Sequence, residues 1–571
     1  MARFGERFLL GFTSPRTPKL ISEYIKVIEK NNLENLPYNT AFQEKFYTVL
    51  SEAKVAGEEA GTARDKALAG RDKLTRMPQA LGFFITQRDK KFQVTDAGKL
   101  LKDEDLFEDV LLHQILKFQL PSPLHKESAS NAGRFRIKPF LELIRLIDEL
   151  EYLSYKELMI FGMTLTDYRN FESVVERVRK YRKQREIIKK QKKSLRMFDY
   201  ETQLNVFKEL YNDIIQLGDF RTRETETKTA EEYMKKKLRN WGDYTDSIFR
   251  ILRATGVVVF SKGRTLTISS ERIDEIKYIL KKVDREIVST NMDRNDFDSY
   301  ISNPHEPILL NDNKDSLIKT LESIGSFGNN KEDIYVLKHR LNQQRIFRKQ
   351  KKVDDETLRL KARSEEDIKD ILQTFEAISQ KEIEPASMRP TFFEWNIWRA
   401  MTMINHGKVK GNFTVDDSGM PISTAGGGKS DIIGDYGKFN IGIEVTLSTG
   451  QKQFEMEGEP VSRHIGEMQV EKPTFGIFIA DSLNETVINH FYTLSHQKSK
   501  IYNGTVDIIP MDTKTFIEFF KQATCKNIEP EELYSIHEHS ILVSKQMLIE
   551  DKTEEDWHNS VIQKVFEIVG Q

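Results

Sequence analysis

A chain of 571 residues suggests three or four domains, and no apolar run approaches the roughly 20 residues that a membrane-spanning helix needs. Its single cysteine, Cys525, excludes internal disulfides and a cysteine-built zinc site, and fits a reducing cytoplasm. The net charge of -1 is silent about partners, so the placement of charge has to speak.

The N-terminus, "MARFGERFLLGFTSPRTP", carries an apolar patch too short and broken for a signal peptide. Residues 78–101, "PQALGFFITQRDKKFQVTDAGKLL", predict a helix end at Gly82, two short strands joined by a polar turn, and a new helix. Residues 248–280 repeat that order, with Gly256, strands at 257–260 and 265–268 around "SKGR", then a helix. A helix followed by a hairpin is the pattern of a winged helix, a module that can place one helix in the major groove; such modules also serve as protein-interaction or structural units. Arg71, Lys73 and Arg76 lie just upstream of the first hairpin, where cations could meet phosphates or guanine edges. "KFQLPSPLHK", with Lys117 and Gln119, lies between the two copies.

Two stretches are strongly basic. "RVRKYRKQREIIKKQKK", 177–193, holds ten Lys/Arg against one Glu, and "KHRLNQQRIFRKQKK" covers 338–352. Basic stripes in a neutral chain suit a phosphate-contacting face, although a solvated helix face reads the same way. From about 286 to 380 the sequence is charged and helical in period, with little of its own to bury, and a helical linker is the economical reading.

The C-terminal third contains "AGGGKSDIIGDYGKFNIGIEVTLSTG", 425–450. Its "GGGKS" is not a nucleotide-binding loop: the first glycine of G-x-x-x-x-G-K-[ST] is Ser423, and strand-like sequence follows where a helix is required. Asp431 and Glu444 stand instead on two strands joined by "DYGKFN", a spacing that lets a hairpin bring both carboxylates to one end. Hard oxygen ligands that leave room for water and phosphate suit Mg²⁺, but carboxylates at strand edges are common without a metal. Upstream, the helix "TFFEWNIWRAMTMINHG" sets Glu394 among Phe393, Trp395 and Trp398, as a cap or facing the metal. Downstream, "QKQFEMEGEPVSRHIGEM" carries Glu457, Arg463 and His464 on a helix. Strand 474–480, helix "TVINHFYTLSHQ", strand 505–511 and helix "TKTFIEFFKQA" follow. This order matches the α/β core of PD-(D/E)XK nucleases.

"FFEWNIWRA", "KSDIIGDYGKFNIGIEVTLSTGQKQFEMEGEPVSRH", "GFTSPRTP", "RDKLTRMPQALGF" and "KFQLPSPLHK" resemble segments of the Type IIS restriction endonucleases of the AlwI, MlyI, PleI and BstNBI group. The resemblance implies a multidomain α+β protein: a DNA-recognition region over 1–285 with two winged-helix-like subdomains (about 1–130 and 131–285), a helical linker over 286–380, and a PD-(D/E)XK cleavage domain over 381–571. It implies a Type II deoxyribonuclease that reads a short asymmetric duplex site (GAGTC- or GGATC-like) and cuts a few base pairs away with Mg²⁺. The implied site residues are Asp431 and Glu444 as metal ligands, Glu394 and Glu457 supporting them, and His464 orienting water or neutralising phosphate. Arg16, in the shared "GFTSPRTP", joins Arg71, Lys73, Arg76, Lys117 and Gln119 as candidate DNA contacts. A transient homodimer or small subunit acting through the cleavage domain and a companion DNA methyltransferase are the implied partners.

Two positions depart from the motif. Ser430 stands where proline usually precedes the aspartate, and Thr446 replaces the lysine of E-x-K, as it tends to be replaced in this group; Lys429 and Lys452 are the nearby lysines. A strand-specific nicking enzyme, the large subunit of a heterodimeric enzyme, and a non-catalytic DNA-binding regulator are the alternatives. His406 and His490 fall in helical contexts that suit packing, and Cys525 has no partner motif.

Overall fold

The computed structural model describes residues 2–55, 63–87, 90–220, 229–404, 407–424 and 428–570. The chain forms two compact units, Met1–Arg348 and Lys349–Gln571.

In the first unit both expected hairpins are present. Helix Met77–Ala80 leads to Gly82, whose φ of +77° suits a residue without Cβ, and strands Phe84–Ile85 and Gln93–Val94 then pair antiparallel. Thr95 accepts the amide of Gly98 and caps helix Asp96–Leu101. In the second copy, helix Ala230–Ala254 ends before Gly256 (φ +70°), and Val258–Phe260 pairs with Thr265–Ile268. A third strand, Leu153–Ser154, adds to the outer edge of Thr265–Ile268. It is only two residues long and runs directly into helix Tyr155–Ile160 through a Ser154/Glu157 capping box, so its sequence carries the helix-start signal rather than a strand pattern.

The region 286–380 is largely helical, and the boundary between the two units falls within its long helix, Ile334–Lys361. It buries more than its composition suggests. Leu317, Leu321, Leu337 and Leu341 form a small core with Ile318, Ile324 and Ile334 against it, because helix Lys314–Ser323 and the start of Ile334–Lys361 each present leucines four residues apart.

The basic stretch 338–352 is also reassigned by its surroundings. Lys338 is buried between Asp109 (2.8 Å) and Asp312 (2.6 Å), Arg340 pairs with Glu332, Arg345 with Glu275, and Arg348 with Glu271 at 3.1 Å. These cations hold the unit together instead of forming a free phosphate-binding stripe. In helix Phe171–Lys190, Arg177, Arg179, Arg182 and Arg185 likewise pair with Glu209, Glu149, Glu157 and Asp199, while Lys180, Lys183, Lys189 and Lys190 are exposed.

The second unit is built on a five-stranded sheet in the order Ile508–Asp512, Thr474–Ala480, Asn440–Thr446, Ile432–Asp435, Lys408–Gly411. The first three strands of that order are parallel and the last two pairings antiparallel. Every residue of Thr474–Ala480 is buried, the continuous apolar run of a strand covered on both faces. Helices Arg389–Ile404 and Gln451–Glu471 pack on the strand Asn440–Thr446, and Glu485–His496 and Thr513–Ala523 pack on Ile508–Asp512. Among the described residues, no helix is long and apolar enough to cross a membrane.

The buried Glu275 offers a test of the ionic network. Burial opposes its charge, but Arg272 (2.7 Å) and Arg345 overcome that and hold its carboxyl at about 2. Its folded value lies below the ordinary glutamate value of about 4.3, so the stabilisation is complete above that value and is lost as pH falls towards 2. Glu275→Ala leaves two buried guanidinium groups short of a partner and is expected to cost about 3–5 kcal/mol in urea unfolding at pH 7, with the difference from wild type shrinking below pH 4.

Candidate nuclease site

The site is assembled on the hairpin at the centre of the second unit. Strands Ile432–Asp435 and Asn440–Thr446 pair with Ile432 opposite Ile443, and the same register carried one step further sets Asp431 opposite Glu444. Directly opposed residues in an antiparallel pair share a face, so the two carboxylates are neighbours there. Helix Gln451–Glu471 covers that face: Gly442, two residues before Glu444, leaves room for Ile465, and His464 Nδ1 lies 2.9 Å from Glu444 Oε1.

Asp431 is held at the strand entrance by its backbone and side chain. Its carbonyl accepts the Asn412 amide at 2.8 Å, and its Oδ2 accepts the Val445 amide at 2.8 Å. Burial and the charges of Glu394, Glu444 and Glu457 push its carboxyl well above the usual carboxylate range, against the single amide. Glu457 is also raised, by burial first and then by Glu444, while the Thr446 hydroxyl, donating to Glu457 Oε1 at 2.7 Å, pulls the other way. Thr446 stands at the position of the missing motif lysine, so here that position orients an acid. His464 Nε2 is buried without a hydrogen-bond partner among the described residues.

Glu394 sits on helix Arg389–Ile404, buried among Phe393, Trp395 and Trp398. With Phe393, Val445, Thr446, Lys452 and Glu457 it lines a cleft of about 520 Å³. The five expected catalytic positions therefore converge on one end of the sheet through shared contacts, charge interactions or this cleft. The donor set is one of hard oxygens crowded beyond what mutual repulsion favours, and it fits a divalent cation. Among the described residues, three side-chain donors come within 4.8 Å of one another only in Asp103/Asp105/His339 and Asp109/His113/Asp312. A cation on Asp431 and Glu444 would accordingly take its remaining ligands from water and substrate, and the second of those clusters already holds the ammonium of Lys338.

The "GGGKS" stretch lies partly outside the described residues; its described end, Gly428–Ser430, is followed by a strand, contrary to a phosphate-binding loop. Ser430 is buried, with Asn412 donating to its carbonyl. His490 accepts or donates to Ser462 Oγ at 2.9 Å in a packed position, Cys525 is exposed and free, and His406 lies outside the described residues.

The six candidate DNA contacts divide. Arg16, Arg71 and Arg76 are exposed to about half of their side-chain surface: Arg76 reaches Thr13 Oγ1 at 2.8 Å and Asp72 at 2.7 Å, Arg71 lies 3.7 Å from Asp72, and Arg16 lies 3.3 Å from Asp243. Lys73, in the same helix Lys66–Thr75, is less than fully exposed. Lys117 and Gln119 do not belong with them. Lys117 is 1% exposed and donates to the carbonyls of Tyr300 (3.3 Å), Ile301 (2.9 Å) and Asn303, with burial lowering its amine to about 7. Gln119, also 1% exposed, donates to the carbonyls of Pro121 and Val288 and accepts the Val288 amide. Both satisfy backbone groups that a buried loop would otherwise leave unpaired, so neither is available to a duplex.

The AlwI restriction endonuclease family matches residues 79–519, reaching well into both compact units, and the chain belongs to that family. It is a nuclease that binds and cleaves DNA. Among solved structures, the chain is similar to the small subunit of the heterodimeric restriction endonuclease R.BspD6I, at 25% identity over 35% of this chain and 98% of that one, with a TM-score of 0.29. It is also similar to the BpuJ1 endonuclease binding domain, solved in complex with pyrene- and phenanthrene-modified DNA, at 15% identity over 50% of this chain and 92% of that one, with a TM-score of 0.30. No curated protein matches the chain.

The role of Gln453 was not legible in the sequence. Gln453 is fully buried and bridges the carbonyls of Ser448 and Ser482, each at 2.8 Å, and the Asn484 amide at 2.9 Å, which pins the loop between strand and helix. Nothing in its local sequence, between Lys452 and Phe454 in the first helical turn, marks it as buried.

The raised carboxyls make a signed prediction. A carboxyl whose folded value lies above its unfolded value of about 4 favours folding while protonated, and the metal-free protein loses that contribution as pH rises through the raised value. Asp431→Asn removes the ionised form and is expected to raise the melting temperature of EDTA-treated protein at pH 8 by a few degrees. The gain should vanish near pH 4. An unchanged or lowered melting temperature at pH 8 contradicts the crowding.

Proposed function

We propose that the protein is a Type IIS restriction endonuclease: a reader of a short asymmetric duplex site that hydrolyses phosphodiesters a few base pairs away with Mg²⁺. The observation that carries this reading is the gathering of Asp431, Glu444, Glu457 and His464 at one end of the sheet, where Asp431 interacts with the charges of Glu444 and Glu457, and His464 meets Glu444. In this proposal the Lys349–Gln571 unit is a PD-(D/E)XK cleavage domain, and the Met1–Arg348 unit is the recognition region, its two helix–hairpin segments acting as winged helices. Such a division suits the chemistry, because base contacts specify while backbone contacts position.

Asp431 and Glu444 hold the cation, which when bound supplies Lewis acidity to the scissile phosphate. Glu394 and Glu457 orient the attacking water. The water's oxygen forms the new bond to phosphorus as its proton passes towards Glu457 or solvent, one bridging P–O bond breaks, and the departing sugar oxygen takes a proton from solvent to leave as a hydroxyl. His464 holds Glu444 in place through the 2.9 Å contact. Arg16, Arg71, Lys73 and Arg76 supply phosphate or base contacts from the exposed face of the first unit. Cutting both strands requires a second active site, from a transient homodimer or a small subunit; without one the product is a nick. A companion methyltransferase protects the host's own sites.

Incubation of the purified protein with supercoiled plasmid in Mg²⁺ or EDTA, followed by end sequencing, tests the reading. The expected result is Mg²⁺-dependent breaks at a constant offset from one short asymmetric sequence, with Asp431→Ala binding the same fragments but cutting at least ~10³-fold more slowly. Binding without cutting by the wild type would leave a non-catalytic regulator.

A further inference from the structure

The motif lysine is absent from its strand, yet the cleft does not lack an ammonium. Lys452 lines the same cleft as Glu394, Thr446 and Glu457, on the first turn of helix Gln451–Glu471. It is exposed, and no ion pair or side-chain hydrogen bond engages it among the described residues. Its backbone position is fixed from both sides. Gly450, at φ +62°, turns the chain into the helix, and the adjacent Gln453 is locked to Ser448, Ser482 and Asn484. The other nearby lysine, Lys429, is exposed and does not line the cleft. Thr446 cannot substitute, because its hydroxyl is neutral and is engaged with Glu457.

We infer that Lys452 is a catalytic residue that replaces the motif lysine from a different element, meeting a non-bridging oxygen of the scissile phosphate. The inference rests on the nuclease reading above. As water adds to phosphorus, negative charge grows on the non-bridging oxygens before the bridging bond breaks. A fixed cation beside them stabilises that charge more than it stabilises the bound ground state. Lys452 is placed to supply that positive charge without pairing with an acid in advance.

The test uses the full chain and the plasmid substrate. Lys452→Ala should lower the single-turnover cutting rate about 10²–10³-fold, while affinity for a duplex carrying the mapped cut site, measured in Ca²⁺, stays within twofold. Calcium binding itself should also be unchanged, which a collapsed carboxylate site would not allow. Because Cys525 is the only cysteine, Lys452→Cys in a Cys525→Ser background can be alkylated with bromoethylamine, which restores an ammonium at nearly the original reach. Recovery of cutting after alkylation, and not after treatment with a neutral alkylating agent, is the expected result. Equal cutting by Lys452→Ala, a loss of duplex affinity matching the loss of rate, or no recovery on alkylation would each overturn the assignment. A wild-type protein that does not cut in the parallel reaction would instead sink the nuclease reading on which it rests.

Discussion

The candidate site depends on one register. Ile432 faces Ile443, and from that pairing Asp431 and Glu444 come to stand side by side. A slip of a single residue would send one carboxylate to the opposite face of the sheet, since side chains alternate strictly along a strand. The register is held by burial on the strand flanks: Ile432, Ile441 and Ile443 are all fully buried. The apolar residues therefore position the acids, and the acids in turn are placed where their own repulsion works against the fold.

That opposition is the physical content of the site. Asp431 has one amide donor and three acidic neighbours, and Glu457 has one hydroxyl. A fold that needed these groups only for stability would pair them as it pairs Glu275 with two arginines, or Asp109 and Asp312 with Lys338. The same chain thus neutralises buried acids thoroughly in one unit and leaves a cluster strained in the other. Strain of that kind is what a bound cation relieves, and it is typical of groups kept for chemistry.

Much of this was legible from sequence, for identifiable reasons. The strand 474–480 and the helix at 513–523 were read with the bounds the structure gives, because an unbroken apolar run and a clean helical period leave little choice. Both hairpins were visible from turn residues and β-branched flanks. The acids were visible because their spacing matched a hairpin and long strings resembled a known family. What was hidden is long-range. The partners of Lys338 and Arg345 lie dozens to hundreds of residues away, so a basic run looked like a nucleic-acid face when it is internal ionic glue. Lys117 and Gln119 looked like loop contacts because nothing local shows that the carbonyls of 288 and 300–303 come to meet them. The region from 286 to 380 was read as having little of its own to bury, because the small leucine core there is shared between two helices that each contribute only a pair.

A divalent-cation site formed by Asp431 and Glu444 would bind Mg²⁺ in the folded chain. Isothermal titration of the full-length protein with Mg²⁺, in the absence of DNA, addresses it directly, with Asp431→Asn and Glu444→Gln run beside the wild type. Saturable binding to the wild type, abolished by either substitution in variants that keep the wild-type circular dichroism, is the expected result. Absence of binding to the wild type, or binding that survives both substitutions, would contradict it.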